Sequence, residues 1–137
     1  MTRDTRTGGV LEQMILPALD CGGYDHQEQV PIGDRLGCGR HVIDVVAQKG
    51  TDSFLISVKW QQVSGTAEQK VPFEVICLLD AMERTTYAKA YLVLGGEGWK
   101  LRDFYVGGGL HRFVIGGNRV EIMTLEGFIA RANQGKL

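Results

Sequence analysis

Two runs of β-branched and aromatic residues, separated by a short polar turn, constrain the fold of this chain more than any other feature. The first run is HVIDVVA at residues 41–47, and the second is SFLISVKW at residues 53–60. Such residues fit the pleated, half-buried surface of a sheet. Because the turn between them is short, the sequence predicts an antiparallel β-hairpin.

Side chains alternate between the two faces of a strand, so the hairpin separates two kinds of residue. If its turn is centred between Gly50 and Thr51, Asp44 lies opposite Ser57. We expect one face to belong to the core and the other to carry chemistry. The expected core face consists of Ile43, Val45, Phe54, Ile56, Val58 and Trp60. The expected chemical face consists of Asp44, Ser57, Lys59 and Gln61.

The sequence before the hairpin predicts a helix and an edge strand. Apolar residues at helical spacing predict a helix from Gly9 to Leu19. Pro17 lacks a backbone donor, so we expect this helix to end or kink near Leu16. Residues 27–32 then predict a short edge strand.

The sequence after the hairpin predicts two helices and two strands. A helix is expected over residues 73–82, with Pro72 in its first turn. Residues 88–94 predict a central strand that is covered on both faces. Residues 120–123 predict a last strand, and Thr124 opens a C-terminal helix. The expected fold class is therefore α/β, with a mixed central sheet flanked by helices, and residues 1–137 are expected to form one domain.

Composition excludes several classes of protein. The chain contains no run of eighteen apolar residues, and its N-terminus lacks the apolar stretch of a secretory signal, so we expect a cytoplasmic protein. Cys21, Cys38 and Cys77 have no metal-ligand spacing and are expected to be reduced. No glycine-rich phosphate-binding motif is present, which makes nucleotide binding an unfavoured function. We expect structural roles for the histidines His26, His41 and His111.

The net charge of −1 gives no bulk attraction to nucleic acid. This objection weakens if several acidic residues gather at one metal site, because divalent cations would offset their charge there. The basic residues elsewhere either line a cleft or are scattered, solvated side chains. They are Arg3, Arg6, Lys70, Lys100, Arg102, Arg112 and Arg119.

The motif around the hairpin resembles that of the PD-(D/E)XK nuclease superfamily. It consists of Asp44, the tripeptide Ser57-Val58-Lys59 with Gln61 beyond it, and the segment from Ser64 to Glu74. The family has a helix, a strand carrying the aspartate, a strand carrying (D/E)-x-K, and a second helix. Residues 10–82 follow that order. The resemblance implies a restriction-endonuclease-like fold.

The resemblance also implies a metal site. In the family, the aspartate and the acidic residue two positions before the lysine bind a divalent metal. Asp44 and Lys59 match this pattern, but Ser57 stands where an acidic residue is expected. A subgroup of type II restriction endonucleases carries Ser-x-Lys and supplies the acid from the following helix. Glu74 is the candidate for that acid, and Glu68 is the competing candidate.

Other site residues are implied by the same resemblance. Glu12 resembles a glutamate that binds a second metal or a metal-bound water; otherwise it is an exposed helix residue. Lys59 would stabilise the transition state or orient the attacking water. Gln61 would position water or touch a phosphate, and Lys70, near a helix N-terminus, and Ser57 are further expected nucleic-acid contacts.

These expectations describe an endonuclease that hydrolyses DNA through a metal-activated water, with Mg²⁺ as cofactor and Mn²⁺ as a substitute. Because one small domain presents one such centre, cutting both strands of a duplex implies a homodimer or a larger oligomer. The alternative is a non-catalytic nucleic-acid-binding module on a degenerate nuclease fold. A protein-interaction domain is a third possibility, for which an exposed apolar patch would be the sign.

Overall fold

The computed structural model describes residues 5–137, with side chains from residue 8 onward. Five strands form one mixed sheet in which the strands follow chain order. Strands β1 to β3 are antiparallel, whereas β4 pairs with β3, and β5 with β4, in parallel. The strands are β1 (Asp25–Asp34), β2 (Arg40–Lys49), β3 (Asp52–Trp60), β4 (Lys89–Gly95) and β5 (Val120–Thr124). The predicted α/β class with a mixed central sheet is confirmed.

The helices cover both faces of this sheet. They are α1 (Thr5–Val10), α2 (Leu16–Cys21), α3 (Ala67–Arg84), α4 (Arg102–Val106) and α5 (Leu125–Asn133). A π-helical turn (Leu11–Ile15) joins α1 to α2, and short 3₁₀ turns lie at Gly109–Arg112 and Gly117–Arg119. None of the helices within residues 5–137 is long and apolar enough to cross a membrane.

The predicted hairpin has the predicted register. Val45 pairs with Ile56, and Lys49 pairs with Asp52, which places the turn between Gly50 and Thr51. The ladder ends at the pair of Val45 and Ile56, so β2 and β3 separate just before Asp44 would face Ser57. This separation opens a gap between two neighbouring strands.

The sheet is buried on both faces, and the expectation of an open chemical face is wrong. One core lies against α2 and α5 and contains Val45, Phe54, Ile56, Tyr91 and Phe128. The other lies against α3 and contains Leu55, Val71, Leu78, Leu92 and Ile122. Ser57, expected on the open face, is only 2% exposed. Ser57 is therefore shielded from solvent at the edge of a core.

The expected common face of Ile43 and Val45 is also wrong. Ile43 lies in the α3 core, whereas Val45 lies in the opposite core. Residues two apart on a regular strand share a face, so the alternation of faces is interrupted at Asp44. Opposite this point, Gln29 of β1 has a left-handed backbone with φ of 52°. Both strands are therefore irregular at the same level of the sheet.

The first helical segment continues past Leu16 instead of ending there. The backbone N–H of Leu16 donates to the carbonyl of Leu11, which is the five-residue step of a π turn. Pro17 follows within the first turn of α2, where its missing donor costs little. The expected break is thus a change in helical pitch, and Leu11 and Ile15 stay fully buried.

Helix α3 begins at Ala67, so the expectation that Pro72 lies in its first turn is wrong. Inside a helix, Pro72 cannot donate to the carbonyl of Glu68 four residues earlier. The buried hydroxyl of Tyr105 in α4 donates to that carbonyl at 2.9 Å. A side chain from a distant part of the chain therefore replaces the bond that proline removes.

This replacement predicts the effect of Tyr105→Phe. The substitution leaves the buried Glu68 carbonyl without a donor and should lower the free energy of unfolding by about 1–3 kcal/mol in urea titrations. Pro72→Ala restores a backbone donor to the same carbonyl. Tyr105→Phe should therefore cost less in a Pro72→Ala background, and equal costs in both backgrounds would contradict the assignment.

Candidate active site

Asp44 lies in the gap where β2 and β3 separate. Its Oδ2 accepts a hydrogen bond of 2.8 Å from the backbone N–H of Val58. The side chain thereby satisfies a strand donor that the β2–β3 ladder, which ends two residues earlier at Ile56, leaves unpaired. This bond fixes the carboxylate against β3.

Glu74 reaches the same place from α3. It belongs to the buried stripe of that helix, with Val71, Val75 and Leu78 at helical spacing around it, and is 6% exposed. Its Oε1 accepts a hydrogen bond of 3.0 Å from the hydroxyl of Ser57. Its Oε2 lies 3.9 Å from Nζ of Lys59. The acid of the helix therefore contacts both polar residues of the Ser-x-Lys motif.

The two carboxylates raise the charge density of the site. Burial raises the pKa of Asp44 above its ordinary value, and the nearby Glu74 raises it further. The hydrogen bond from Val58 and the charge of Lys59 oppose this rise. A group whose ionised form is disfavoured in this way gains from a cation placed beside it.

Asp44 and Glu74 fit a hard divalent cation. Carboxylate oxygens are the ligands that Mg²⁺ prefers, and Mg²⁺ usually binds one or two carboxylates while water and substrate phosphate complete its shell. Residues 8–137 contain no group of three or more His, Cys, Asp or Glu side chains placed to hold a metal. Asp44 and Glu74 together supply the two carboxylates of such a partial donor set.

Glu68, the competing acid, serves a different part of the molecule. Its carboxylate accepts hydrogen bonds from the backbone N–H groups of Lys100 and Leu101, the latter at 3.0 Å. These bonds tie the start of α3 to the segment before α4. Of the two acids considered from the sequence, the structure brings Glu74 to Ser57 and Lys59.

Gln61 lies in the same anchoring network and outside the cluster of Asp44, Ser57, Lys59 and Glu74. Its amide nitrogen donates to the carbonyl of Gly98 at 2.8 Å. Its amide oxygen accepts from the backbone N–H of Ala67 at 3.1 Å. With both ends of the buried amide engaged, Gln61 links the end of β3 to the first residue of α3.

Glu12 and Lys70 are exposed. Glu12 lies in the π turn and Lys70 in the first turns of α3. Among the side chains from residue 8 onward, neither makes a hydrogen bond or salt bridge with Asp44 or Glu74. Arg3 and the side chain of Arg6 lie outside the described part of the chain.

Two of the three histidines have protein partners. His26 contacts the carboxylate of Asp20 at 2.8 Å, and His111 contacts the carbonyl of Val120 at 3.0 Å. His41 is fully buried, and neither ring nitrogen has a hydrogen-bond partner among the described residues. Burial, followed by the charge of Arg35, lowers the pKa of His41, so its ring favours the neutral form.

Gln29 is the site residue that the sequence did not indicate. A polar interaction of its side chain with the Asp44 carboxyl lowers the pKa of that group. The predicted edge strand contained Gln29, but a strand pattern carries no signal for a left-handed backbone. Only the register of β1 against β2 brings the residue opposite Asp44.

Comparisons with known proteins identify the family and the fold of the chain. The sequence model of the PD-(D/E)XK nuclease superfamily domain matches residues 3–136. The chain belongs to the PD-(D/E)XK nuclease superfamily. Its five-stranded mixed sheet with flanking helices has the restriction-endonuclease-like fold of that superfamily.

One solved structure of similar fold is the crystal structure of AF1548, a protein of unknown function. The TM-score is 0.56 at 15% sequence identity, and the match covers 80% of this nuclease-family chain. The chain spans 54% of the length of that protein. This likeness supports the fold alone. No curated protein matches the chain significantly.

The burial of Asp44 predicts that Asp44→Asn stabilises the metal-free protein at neutral pH. Because the pKa of Asp44 is raised, the folded state binds its proton more readily than the unfolded state, and ionisation costs stability as pH rises. The asparagine oxygen can still accept from Val58. In EDTA, thermal unfolding should show the variant melting a few degrees higher at pH 7.

The same experiment carries its own pH control. The difference in melting temperature should shrink as pH falls through the raised pKa and vanish below the ordinary value of 3.8, where the wild-type carboxyl is protonated in both the folded and the unfolded state. Asp52→Asn, which changes an exposed aspartate at the other end of the hairpin, should show no such advantage. An advantage for Asp44→Asn that persists at low pH would contradict the electrostatic cause.

Proposed function

We propose that this member of the PD-(D/E)XK superfamily is a metal-dependent endonuclease that hydrolyses DNA phosphodiester bonds. The observation that carries the proposal is the contact of Glu74 with both Ser57 and Lys59, next to Asp44. It supplies, from α3, the carboxylate that the strand motif lacks. A site with that acid has the donor set that nuclease chemistry needs.

Asp44 and Glu74 would hold the cation, Mg²⁺ with Mn²⁺ as a substitute. When bound, such a cation lowers the pKa of a coordinated water and offsets charge on the scissile phosphate. Asp44 is oriented for this role by the backbone N–H of Val58, and Glu74 by the Ser57 hydroxyl. These hydrogen-bond donors are neutral, so they leave the negative charge of the two carboxylates, which Lys59 offsets in part, available to a cation.

Lys59 would act on the phosphate. Its side chain is partly exposed, and its 3.9 Å separation from Glu74 leaves its three N–H donors free to reach a substrate oxygen. A fixed positive charge next to the pentacoordinate phosphorus of the transition state stabilises the negative charge on its oxygen atoms. We assign Lys59 to transition-state stabilisation and to orientation of the attacking water.

The remaining expected residues are assigned supporting roles around the two proposed metal ligands. Lys70 is exposed in the first turns of α3, where a cation can meet the DNA backbone. Glu12 stays a candidate for a second cation. Ser57 is buried and orients Glu74, and Gln61 holds the start of α3 through its engaged amide. These assignments separate groups that touch substrate from groups that hold the site.

We also propose a homodimer in the cytoplasm, with residues 1–137 as one domain. A single centre must be duplicated to cut both strands of a duplex. An exposed apolar surface that includes Phe113 (71% exposed) and Ile115 (100% exposed) supports association. Free thiols at the three cysteines are what a reducing compartment produces.

The alternative is a nucleic-acid-binding module without catalysis. The pair of Asp44 and Glu74 disfavours this alternative, because two acids at one site repel phosphate unless a cation lies between them. A binding module would hold DNA equally well with and without Mg²⁺. The proposed enzyme requires the cation for cleavage.

Nicking of supercoiled plasmid tests the proposal directly. The wild-type protein should nick DNA with Mg²⁺ and not with EDTA. Lys59→Ala and Glu74→Gln should each reduce the rate by at least about 100-fold, since each removes a charge that acts in the transition state. The matched controls are Lys136→Ala and Glu83→Gln, which change exposed residues outside the site and should retain full activity. Cleavage that ignores Mg²⁺, or survives both site variants, would sink the proposal.

Moving the acid back to the strand tests the role of Glu74. The Ser57 hydroxyl and the Glu74 carboxylate are one hydrogen bond apart, so a glutamate at 57 and a serine at 74 exchange the two groups across a short gap. Glu74→Ser alone should abolish nicking. The double variant Ser57→Glu, Glu74→Ser should recover a measurable part of it, although repacking of buried residues will keep the rate below wild type. Failure to recover, in a variant whose melting temperature is unchanged, would mean that Glu74 acts only through its own position.

A further inference from the structure

Gln29 has an unusual backbone for a residue in a strand. Its φ of 52° lies in the left-handed region, where a residue with a Cβ is disfavoured and glycine is not. β1 is an edge strand, and the Gln29 side chain is exposed, so no core packing of its own offsets this cost. A strained residue that persists at such a position is held there by something else.

The register of the sheet places Gln29 beside Asp44. Glu28 pairs with Val45 and Val30 pairs with Ile43, so Gln29 and Asp44 occupy the same level of neighbouring strands. At this level the alternation of faces along β2 is also interrupted, and the β2–β3 ladder ends. The left-handed turn of Gln29 therefore coincides with the opening that holds the carboxylate.

The chemistry of an amide suits this contact. Asp44 accepts one hydrogen bond from the Val58 N–H, and the amide of Gln29, at the opposing position of β1, can donate a second. A carboxylate accepts about four hydrogen bonds, so two donors leave lone pairs for a cation. A lysine or arginine at 29 would add a positive charge that repels the cation, whereas a neutral amide adds none.

We propose that Gln29 is a positioning residue for the divalent cation, and that its amide holds the Asp44 carboxylate in the orientation that binds the metal. The inference rests on the proposed function, because it assigns Asp44 as a ligand. It adds the edge strand β1, through a residue outside the Ser-x-Lys motif, to the parts that shape the site.

The variant Gln29→Gly distinguishes the role of the side chain from the role of the backbone conformation. Gln29→Gly keeps the left-handed conformation without strain, so its melting temperature should equal or exceed that of the wild type. It removes the amide, and we expect Mn²⁺ to bind the DNA-free protein about 10–100-fold more weakly, as when other supports of a metal ligand are lost. Free Mn²⁺ is measured by electron paramagnetic resonance during titration.

Two further variants calibrate this titration. Gln27→Gly removes an exposed amide from a regular position of the same strand and should leave Mn²⁺ binding unchanged. Asp44→Asn removes the ligand itself and should abolish binding. Gln29→Asn tolerates the left-handed backbone but has a shorter side chain, so it should also weaken Mn²⁺ binding. This variant keeps the test decisive should glycine alter the strand.

Nicking assays add a readout that a purely structural role would not change. Raising the Mn²⁺ concentration should restore the nicking rate of Gln29→Gly to within a few-fold of wild type, because the amide acts on metal affinity. A reduced rate at saturating Mn²⁺, or wild-type affinity in both position-29 variants while Asp44→Asn fails to bind, would overturn the inference and leave the endonuclease proposal standing. Absence of Mn²⁺ binding and of nicking in the wild type would overturn both.

Discussion

The hydrogen bond from the Val58 N–H to the Asp44 carboxylate is the interaction on which the rest of the site depends. It occurs where the β2–β3 ladder stops, and it replaces the strand–strand bond that would otherwise close the gap. A sheet can open in its interior only if the exposed backbone donor finds another acceptor. Here the acceptor is an acidic side chain, so the same bond that stabilises the opening also fixes a candidate metal ligand within it.

The energetic consequence is a pair of neighbouring acids, of which Glu74 is buried and Asp44 is half-buried. Asp44 is disfavoured as an anion by burial and by Glu74, and Glu74 itself lies in the apolar stripe of α3. Partial compensation comes from the hydroxyl of Ser57 and the charge of Lys59. Under the proposed function, such an arrangement would lower the stability of the metal-free fold and favour cation binding, which is the usual relation between a functional site and the stability of its scaffold.

Patterns in the sequence predicted the parts of the structure that depend on interactions between residues close together in the chain. The hairpin register followed from the turn at Gly50, and the family resemblance led to Asp44, Lys59 and Glu74 as candidates. The start of α3 was missed because Pro72 normally marks a first turn, and the donor that lets it sit deeper comes from Tyr105, far along the chain. The choice between Glu74 and Glu68 depended on that helix start. The left-handed backbone of Gln29 depends on the pairing of β1 with β2, which strand periodicity does not report.

Because Glu74 lies on α3, the scaffold must hold that helix in a fixed position against β3. An acid on β3 would be fixed by the strand ladder, but Glu74 is fixed only as well as α3 is fixed against β3. The hydrogen bonds of Gln61 with Ala67 and Gly98 tie the end of β3 to the helix start, and Glu68 ties that start to the segment before α4. Tyr105 belongs to the same network, because its hydroxyl donates to the Glu68 carbonyl, to which Pro72 has no N–H to donate. Residues that contact neither metal nor DNA in the proposed mechanism therefore determine how accurately the displaced carboxylate meets Ser57 and Lys59.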